Sequence, residues 1–396
     1  MAVDKIIEVP LVLEIPVGPQ HPALHEPLLL KVYAEGEEIV KVEINTGYNH
    51  RGIEKLCEKR SFYKDIFLVG RVCGICNTVH ADCFVRAVEE ILGVTPSDRA
   101  RYLRTLAQEL ERIHSHMLIN AVMAEIVGYE TLFMLIMRDR ELIMKAKEIL
   151  TGCRVLADYI MVGGVRRDID DAKKEKILKI LDKIEPKIKY YMKVFEEDVT
   201  ITKRLVDVGI IEPKDVTLHS LVGPIARASN IHIDVRKSDK YDAYGEVPFE
   251  IVVRKEKDSW ARMMVRWEEA LVSLEICKYI LENLPNDGKA VPDERRLPRR
   301  FPPGETFTRV EAPRGELTYY VKSDGKPNPY RVKIRTPSYN NIINTGFVYL
   351  EHSIADLPVI LVSFDPCISC MERVVVIDLA EGSRKLVPLK KLASKG

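Results

Sequence analysis

The chain has 396 residues, of which 46% are hydrophobic and 30% charged, and its formal net charge is +1. This balance is typical of a globular protein and excludes the strongly basic surface that nucleic-acid binding requires. No apolar run is long enough to span a bilayer, so any membrane association is expected through partner subunits. Glutamine occurs only twice while lysine and glutamate are plentiful, a composition that indicates a thermophile.

The amino-terminal region, about residues 1–48, alternates apolar and polar residues around the turn-like sequence AEGEE. A period of two is typical of strands, so this region is predicted to form a small antiparallel sheet. From about Ser61 to Leu284 the apolar residues recur at three- and four-residue spacing, which predicts a helical body. The long predicted helices cover residues 98–128, preceded by Ser97 as an N-cap, 168–198 and 259–284.

The remainder of the chain mixes loops with short elements. Residues 285–305 are rich in proline and arginine and are predicted to form a surface connection, either a solvated loop or a docking surface. A hairpin is predicted around SDGK (323–326), a helix from about Ser338, and a strand over the apolar PVILVSF (358–364). The pattern as a whole predicts an α+β fold that is mainly α.

The eight cysteines divide by their spacing. Four stand singly and are predicted to be small buried side chains: Cys57, Cys83, Cys153 and Cys277. The other four form two C-x-x-C pairs near opposite ends of the sequence, Cys73 and Cys76 in RVCGICNTVH and Cys367 and Cys370 in DPCISC. Residues three apart on a helix or tight turn can direct both sulfurs at one point, and four thiolates suit zinc, nickel or iron.

The cysteines alone leave the kind of site open. A structural zinc site that joins the two ends of the chain accounts for them as well as a reactive metal centre does. The polar residues beside the pairs are Arg71, His80, Asp365 and Ser369. They favour a reactive centre, because polar groups orient the ligands of such a metal and hold exogenous groups. A thioredoxin-like redox pair fits less well, since no βαβ pattern surrounds either motif.

The two cysteine motifs, RVCGICNTVH and DPCISCMER, closely resemble the paired signatures of NiFe-hydrogenase large subunits. Further motifs follow in the order of that family: HRGIEK (50–55), GGVRRDI (163–169) and EAPRGEL (311–317). Ser369 and Arg373 are similar to the membrane-bound, energy-converting type. GPQHPALHEP (18–27) is similar to the opening of the related 49 kDa subunit of respiratory complex I, an NADH dehydrogenase.

The resemblance implies a hydrogenase large-subunit-like helical body with small antiparallel β elements, formed by residues 1–373 as one domain. It also implies an oxidoreductase that interconverts protons and H2 at a nickel–iron centre. In this family all four thiolates hold nickel, and two of them bridge to an iron that carries CO and cyanide. By position, Cys73 and Cys367 are expected to be terminal on nickel, and Cys76 and Cys370 to bridge.

The resemblance assigns roles to residues around the metals. Glu54 matches the family's first proton acceptor, since a carboxylate beside the metal can relay protons outward. Arg314 resembles the arginine over the open metal position, where a fixed guanidinium can polarise hydrogen. Asp365 is expected to pair with an arginine, either Arg314 or Arg71. Without this context Glu54 would be an exposed helix residue and Arg314 a surface or ion-pair residue.

Histidines and a serine complete the predicted surroundings. His80 and Ser369 are expected to donate to cysteine sulfur or to cyanide. His21 and His25 are expected either to help proton traffic or to hydrogen-bond at the sheet. The Glu111-x-x-His114 pattern of di-iron bundles has no second copy, so the polar face of a buried helix accounts for it better.

The resemblance also implies partners. The chain has no further cysteine cluster for an iron–sulfur centre, so an iron–sulfur small subunit is required, and ferredoxin through it. Membrane antiporter-like subunits would hold the chain peripherally on the cytoplasmic side of the membrane of an anaerobe. Residues 374–396 are expected either to be removed after Arg373 by a maturation endopeptidase or to remain as an ordinary terminal strand and tail.

Two other functions stay open. One is a complex I 49 kDa-like quinone-site subunit that transfers electrons without nickel. The other is a non-enzymatic protein held together by zinc. Retention of all four cysteines favours the hydrogenase, because the complex I subunits lose them.

Overall fold

The computed structural model describes residues 12–22, 24, 26–293, 298 and 300–371, and the backbone of two short strands beyond them. The first sheet is antiparallel, with neighbouring strands in the order β1-β2-β3, as predicted. Its strands are β1 (Val12–Val17), β2 (Leu29–Glu35) and β3 (Glu38–Asn45). β2 and β3 are joined by a two-residue turn in which Gly36 takes a positive φ of 63°, a conformation that costs glycine little.

The helical body follows the predicted order. Its helices are α1 (Ile53–Cys57), α2 (Phe62–Val69), α3 (Asn77–Leu92), α4 (Asp98–Ile126), α5 (Glu130–Thr151), α6 (Asp171–Glu197), α7 (Val199–Leu205), α8 (Pro213–His219), α9 (Pro224–Ala228), α10 (Val235–Ser238) and α11 (Ser259–Glu282). A short hairpin of β4 (Ile160–Met161) and β5 (Gly164–Val165) lies between α5 and α6. The predicted cap of α4 is confirmed, since the Ser97 hydroxyl accepts the Ala100 amide at 3.2 Å.

α4 is the central helix of this body and packs against α5 and α11. It is buried along most of its length, including its polar residues, among them Arg104, Glu111 and Arg112. Buried charges are costly unless they are paired and hydrogen-bonded. The polar residues of α4 therefore mark the places where other elements are tied to it.

The second sheet is also antiparallel, in the order β6-β7-β8, and packs on α3. Its strands are β6 (Gly304–Ala312), β7 (Gly315–Ser323) and β8 (Arg331–Arg335), so the predicted hairpin around SDGK is confirmed. The tight turn between β6 and β7 contains Arg314 and leads into Gly315, whose φ is +125°. A Cβ there would lie 2.7 Å from the Gly223 nitrogen, so the close approach of the two backbones requires glycine.

The last part of the body contains α12 (Pro337–Ile343), 3₁₀ turns at Gly346–Tyr349 and Ile354–Asp356, α13 (Leu357–Ser363) and a 3₁₀ turn at Ile368–Cys370. The strand predicted over 358–364 is wrong, because this run forms α13. A short continuous apolar run has no period that separates a buried strand from a buried helix. Pro358 stands in the first turn of α13, where its missing N–H costs nothing.

Two other predictions concern the chain's connections. The described residues of 285–305 are not all solvated, because Ala290 and Phe301 are buried and the Phe301 ring stacks on Phe62 with 3.9 Å between ring centroids. The extension 374–396 lies outside the described residues except for the backbone of β9 (Val376–Asp378) and β10 (Ser383–Lys385), which pair antiparallel. Arg373 also lies outside them. Among the described residues, no helix combines the length and hydropathy needed to cross a bilayer.

Candidate metal centre

The four paired cysteines converge from the two ends of the chain. Cys73 and Cys76 lie in the turn between α2 and α3, and Cys367 and Cys370 lie in the turn after α13. The Sγ atoms of Cys73 and Cys367 are 3.4 Å apart although 294 positions separate the residues, and those of Cys367 and Cys370 are 3.0 Å apart. The Sγ atoms of Cys73, Cys76 and Cys370 lie within 4.8 Å of one another. All four side chains are buried.

These distances fit a shared metal better than a disulfide. A disulfide needs about 2.05 Å between sulfurs. Around a tetrahedral metal with bonds of about 2.3 Å the sulfurs lie about 3.8 Å apart. The Cys73 sulfur also accepts the amides of Ile75 at 3.4 Å and Cys76 at 3.3 Å, which favour its thiolate. The donor set is therefore buried and all sulfur.

Hydrogen bonds among the thiols shift the pKa values of the four cysteines in different directions. Those from Cys367, Cys370 and Cys76 lower the pKa of Cys73. Hydrogen bonding to Cys367 and Cys73 raises the pKa of Cys370 well above its usual value. The cluster thus favours one thiolate stabilised by protonated neighbours. A cation bound among the sulfurs would take the place of those protons, as metal binding to cysteine generally does.

Arg314 and Asp365 form a buried ion pair beside the cluster. The Arg314 Nη2 lies 2.6 Å from the Asp365 Oδ1, and its Nε donates to the Asp365 carbonyl at 2.9 Å. Burial acts to lower the pKa of Arg314, but Asp365 and the neighbouring cysteines hold it well above its usual value. Of the two arginines predicted to pair with Asp365, the structure therefore has Arg314.

Arg71 is a correction to the predicted surroundings. Its guanidinium pairs with Asp158, with Nη2 2.7 Å from Oδ2, and its side chain is 40% exposed. Arg51, which no prediction singled out, donates instead to the carbonyls of Arg71 at 2.7 Å, Val72 at 2.8 Å and Ser369 at 2.8 Å. One guanidinium thus ties both cysteine motifs together. Its position within HRGIEK was the available signal.

His80 lies against the cluster from α3. Its Nε2 is 3.9 Å from the Cys370 Sγ, and its Nδ1 is 2.8 Å from the Tyr319 hydroxyl on β7. Burial lowers the pKa of His80 to about 4, so its imidazole is neutral near pH 7. Tyr319, another residue that sequence reasoning missed, holds the ring in this orientation.

Ser369 binds a carboxylate that the predictions did not single out. Its hydroxyl donates to the Glu26 Oε1 at 2.7 Å and accepts from the Asn49 Nδ2 at 3.2 Å. The Glu26 Oε2 also accepts the amides of Ile368 and Ser369. Glu26 therefore holds the loop between Cys367 and Cys370. It belongs to GPQHPALHEP, a motif whose histidines alone had been considered.

Glu54, the predicted proton acceptor, is bound by the second sheet. It is half-buried on α1, and its carboxylate is engaged by β8: Oε1 accepts the Ile334 amide at 3.0 Å and Oε2 pairs with Arg331 at 3.1 Å. The structure thus brings Glu26 to the Cys367–Cys370 loop, while the proton-acceptor role of Glu54 stays a prediction. Neither helical spacing nor the motifs could distinguish Glu26 from Glu54 in the sequence, because the residues that bind each carboxylate are hundreds of positions away.

The remaining predicted residues are less central. His21 is exposed and borders a surface pocket of about 480 Å³ that Glu26 also lines. His25 lies outside the described residues. Cys57, Cys83 and Cys277 are buried as predicted, whereas Cys153 is only half-buried.

An apolar cavity of about 220 Å³ adjoins the cluster. Aliphatic side chains form most of its wall: Leu24, Leu28, Ile75, Leu118, Ile119, Val122, Leu361, Val362 and Ile368. Its polar wall consists of Glu26, Arg314 and Asp365. A small apolar molecule can therefore reach a fixed guanidinium next to the cysteines.

Family comparisons agree with this arrangement. The model of the respiratory-chain NADH dehydrogenase 49 kDa subunit matches residues 127–300 and 296–373, and that of the nickel-dependent hydrogenases matches residues 51–120. The chain belongs to this joint family of hydrogenase large subunits and complex I 49 kDa subunits. It is therefore the large subunit of an oxidoreductase.

Relatives of this large subunit include a hydrogenase induced by carbon monoxide and subunits named as membrane-bound. The carbon monoxide-induced hydrogenase of Rhodospirillum rubrum is 39% identical over 91% of this chain and 99% of its own length. The membrane-bound hydrogenase subunit alpha of Pyrococcus furiosus is 36% identical over 96% and 91%. A chain of the membrane-bound sulfane sulfur reductase, an archaeal respiratory membrane complex, has a TM-score of 0.87 and 35% identity, covering 91% of this chain and 98% of that one. The predicted α+β fold, mainly α, is confirmed.

Proposed function

We propose that this large subunit is the catalytic subunit of an energy-converting NiFe hydrogenase, which interconverts protons and H2. The observation that carries the proposal is the meeting of four buried thiols, from both ends of the chain, beside the Arg314–Asp365 pair. A structural zinc site would need the thiols but would gain nothing from a buried ion pair and an apolar cavity next to them.

The sulfur-only donor set fits nickel and iron, which are soft enough to favour thiolates. Cys73, Cys76, Cys367 and Cys370 would hold both metals, with CO and cyanide on the iron, and this centre would supply the making and breaking of the H–H bond. Arg314 faces the apolar cavity while Asp365 fixes its guanidinium, so it would orient a small ligand arriving there. His80 would donate to the Cys370 sulfur, which lies 3.9 Å from its Nε2.

For the proton we propose Glu26 in place of Glu54. The Glu26 carboxylate binds the Ser369 hydroxyl at 2.7 Å, within the Cys367–Cys370 loop. It borders both the apolar cavity and the outer pocket where His21 lies. A carboxylate in this position can take a proton at the cysteines and release it toward solvent.

The experiment that tests the function is metal analysis of the anaerobically purified complex, combined with infrared spectroscopy and an H2 assay. One nickel per large subunit, iron in excess of nickel because the iron–sulfur subunit also contains iron, CO and cyanide bands, and H2-dependent ferredoxin reduction are expected. Zinc alone, or no metal at these cysteines, would contradict the proposal.

Partners follow from the same proposal. An iron–sulfur small subunit would carry electrons to and from ferredoxin, and antiporter-like subunits would hold the complex at the cytoplasmic side of the membrane. An endopeptidase would remove residues 374–396 after Arg373. Mass spectrometry of the active chain tests the last step, since an intact Gly396 on metallated, active protein would exclude cleavage.

A second candidate is a quinone-site electron-transfer subunit without nickel. The match of the 49 kDa family model to residues 127–373 supports it, as does a cavity far larger than H2 needs. Quinone-dependent electron transfer by a complex that contains no nickel would select this function over the first.

A further inference from the structure

The buried sequence ERIHSH on α4, residues 111–116, contacts the start of α3 next to Cys76 and the turn that carries Arg314. Glu111 and His114 within it had been interpreted as the polar face of a buried helix, and both are indeed buried. Their contacts leave no metal-binding role. Both Glu111 oxygens accept backbone amides, and the His114 nitrogens face Arg140 and Lys147, each at 3.1 Å.

Glu111 holds the start of α3. Its carboxylate accepts the amides of Thr78 at 3.0 Å and Val79 at 3.1 Å, in the first turn of the helix. The first amides of a helix have no partner within the helix. A carboxylate at this end accepts their hydrogen bonds and interacts favourably with the positive end of the helix dipole. Cys76 is the residue immediately before this helix. The position of Cys76 is therefore tied to α4.

Lys147 and His114 support Glu111 from α5 and α4. The Lys147 Nζ lies 3.5 Å from the Glu111 Oε1 and 3.1 Å from the His114 Nε2, and all three side chains are buried. The carboxylate is thus held on the side away from α3 as well. A group constrained on two sides transmits the position of α4 to the helix it caps.

Arg112, the next residue, holds the turn that carries Arg314. Its Nη2 donates to the Glu311 carbonyl at 2.6 Å and its Nη1 to the Ala312 carbonyl at 3.2 Å, at the end of β6. Ser115, one turn further along α4, accepts from the Arg314 Nη1 at 3.4 Å. The same short stretch of helix therefore fixes both the cysteine turn and the arginine.

We propose that ERIHSH is a positioning element that sets the Cys73–Cys76 turn and Arg314 relative to one another, through Glu111 on one side and Arg112 on the other. The inference rests on the proposed function, since it assigns these residues to the geometry of that site. Neither residue is a catalytic residue, because both act through the groups they hold.

Two variants test it, each with a matched control. Glu111→Gln is compared with Glu89→Gln, because Glu89 is also a buried carboxylate that accepts a backbone amide, that of Gly163 at 2.7 Å, and pairs with an arginine. Arg112→Lys is compared with Arg104→Lys, because Arg104 is also a buried α4 arginine that donates to backbone carbonyls, those of Met161 and Gly164.

Hydrogen exchange measured by mass spectrometry on the intact complex is the first readout. Glu111→Gln is expected to speed exchange about tenfold at residues 77–80, and Arg112→Lys to do so at residues 311–317, as loss of one or two hydrogen bonds predicts. The controls are expected to lower thermal stability comparably and leave both segments unchanged. The variants are scored separately, so failure of one to fold leaves the other as the test.

Kinetics on the metal-loaded complex form the second readout. Because small displacements of reacting groups cost up to about 100-fold in rate, both variants are expected to lose kcat more than they change KM for H2. Unchanged exchange at both segments, or kcat losses no larger than those of the controls, would overturn the inference. Absence of nickel and H2 activity in the unaltered complex would instead refute the proposed function. The hydrogen-exchange result would still test whether Glu111 and Arg112 hold the two segments.

Discussion

The two cysteine pairs meet in one cluster but are supported in different ways. The turn with Cys73 and Cys76 is bounded by α2 and α3 and is tied to α4 through Glu111. The turn with Cys367 and Cys370 is held by hydrogen bonds from the amino-terminal segments and from the start of α12. Two of the partners are Glu26 and Arg51. The Ser338 hydroxyl accepts the Cys367 amide at 3.3 Å, and the Thr336 hydroxyl donates to the Cys370 carbonyl at 2.9 Å.

This difference separates anchoring by flanking helices from anchoring by individual hydrogen bonds. The first turn lies between α2 and α3, and Glu111 binds it to α4, so it is expected to open only with global unfolding. The second turn is equally buried, but the polar contacts that hold it are worth only about 1 kcal/mol each, so it is expected to open locally. Such a turn suits the last step of assembling a metal site, after the first pair has been formed by folding.

The largest expected effect is loss of nickel when one cysteine of either pair is replaced, and it is expected to be equal for the two pairs. Cys73→Ser and Cys367→Ser should each abolish nickel binding and reduce H2 turnover at least about 100-fold, because each removes a thiolate from a four-sulfur donor set. Metal analysis and H2 assays check this. Cys277→Ser, a buried single cysteine on α11, is the control and should retain nickel. Retention of full nickel by either site variant would break the proposal of four ligands.

A second prediction concerns Arg314, which pairs with Asp365 beside the second turn and donates to Ser115 on α4. Arg314→Lys keeps the charge but loses the fork that binds both the Asp365 carboxylate and its carbonyl. H2 turnover is expected to fall about 100-fold while nickel content stays unchanged. Arg236→Lys, at a buried arginine paired with Asp234, controls for loss of a buried ion pair. Equal losses in the two variants would reduce Arg314 to a structural role.

Two carboxylates sharpen the comparison further. Glu26→Gln should lower H2 turnover about 10- to 100-fold without loss of metal, because the amide cannot relay a proton from the second turn. Glu54→Gln should leave turnover within about twofold and lower only thermal stability, since its carboxylate binds β8. Proton–deuterium exchange assays with H2 measure both. The reverse order of effects would return the acceptor role to Glu54.

The smallest expected effect tests local opening of the second turn. Thr336→Val removes the hydroxyl that binds the Cys370 carbonyl, so hydrogen exchange at residues 367–371 should rise about tenfold. The melting temperature should change by only about 2 °C, because a single hydrogen bond is lost. Exchange that rises equally at residues 73–80 would show that both turns open together, and the contrast between them would disappear.

The sequence by itself determined much of this protein. Periodicity and the Ser97 cap predicted α4, α6 and α11, because helix formation and capping depend on neighbouring residues. The spacing of Cys73–Cys76 and Cys367–Cys370 predicted that the two ends of the chain meet, since neither pair completes a donor set alone.

Only the tertiary structure decided which groups surround those cysteines. The Arg51 guanidinium binds the cysteine turns while that of Arg71 pairs with Asp158, and Glu26 binds the second turn while Glu54 binds β8. Charge and residue type are the same within each of these pairs, so no local pattern separates them. A buried side chain takes the partner that long-range packing brings within hydrogen-bond reach, and that choice depends on how strands and helices distant in sequence come together.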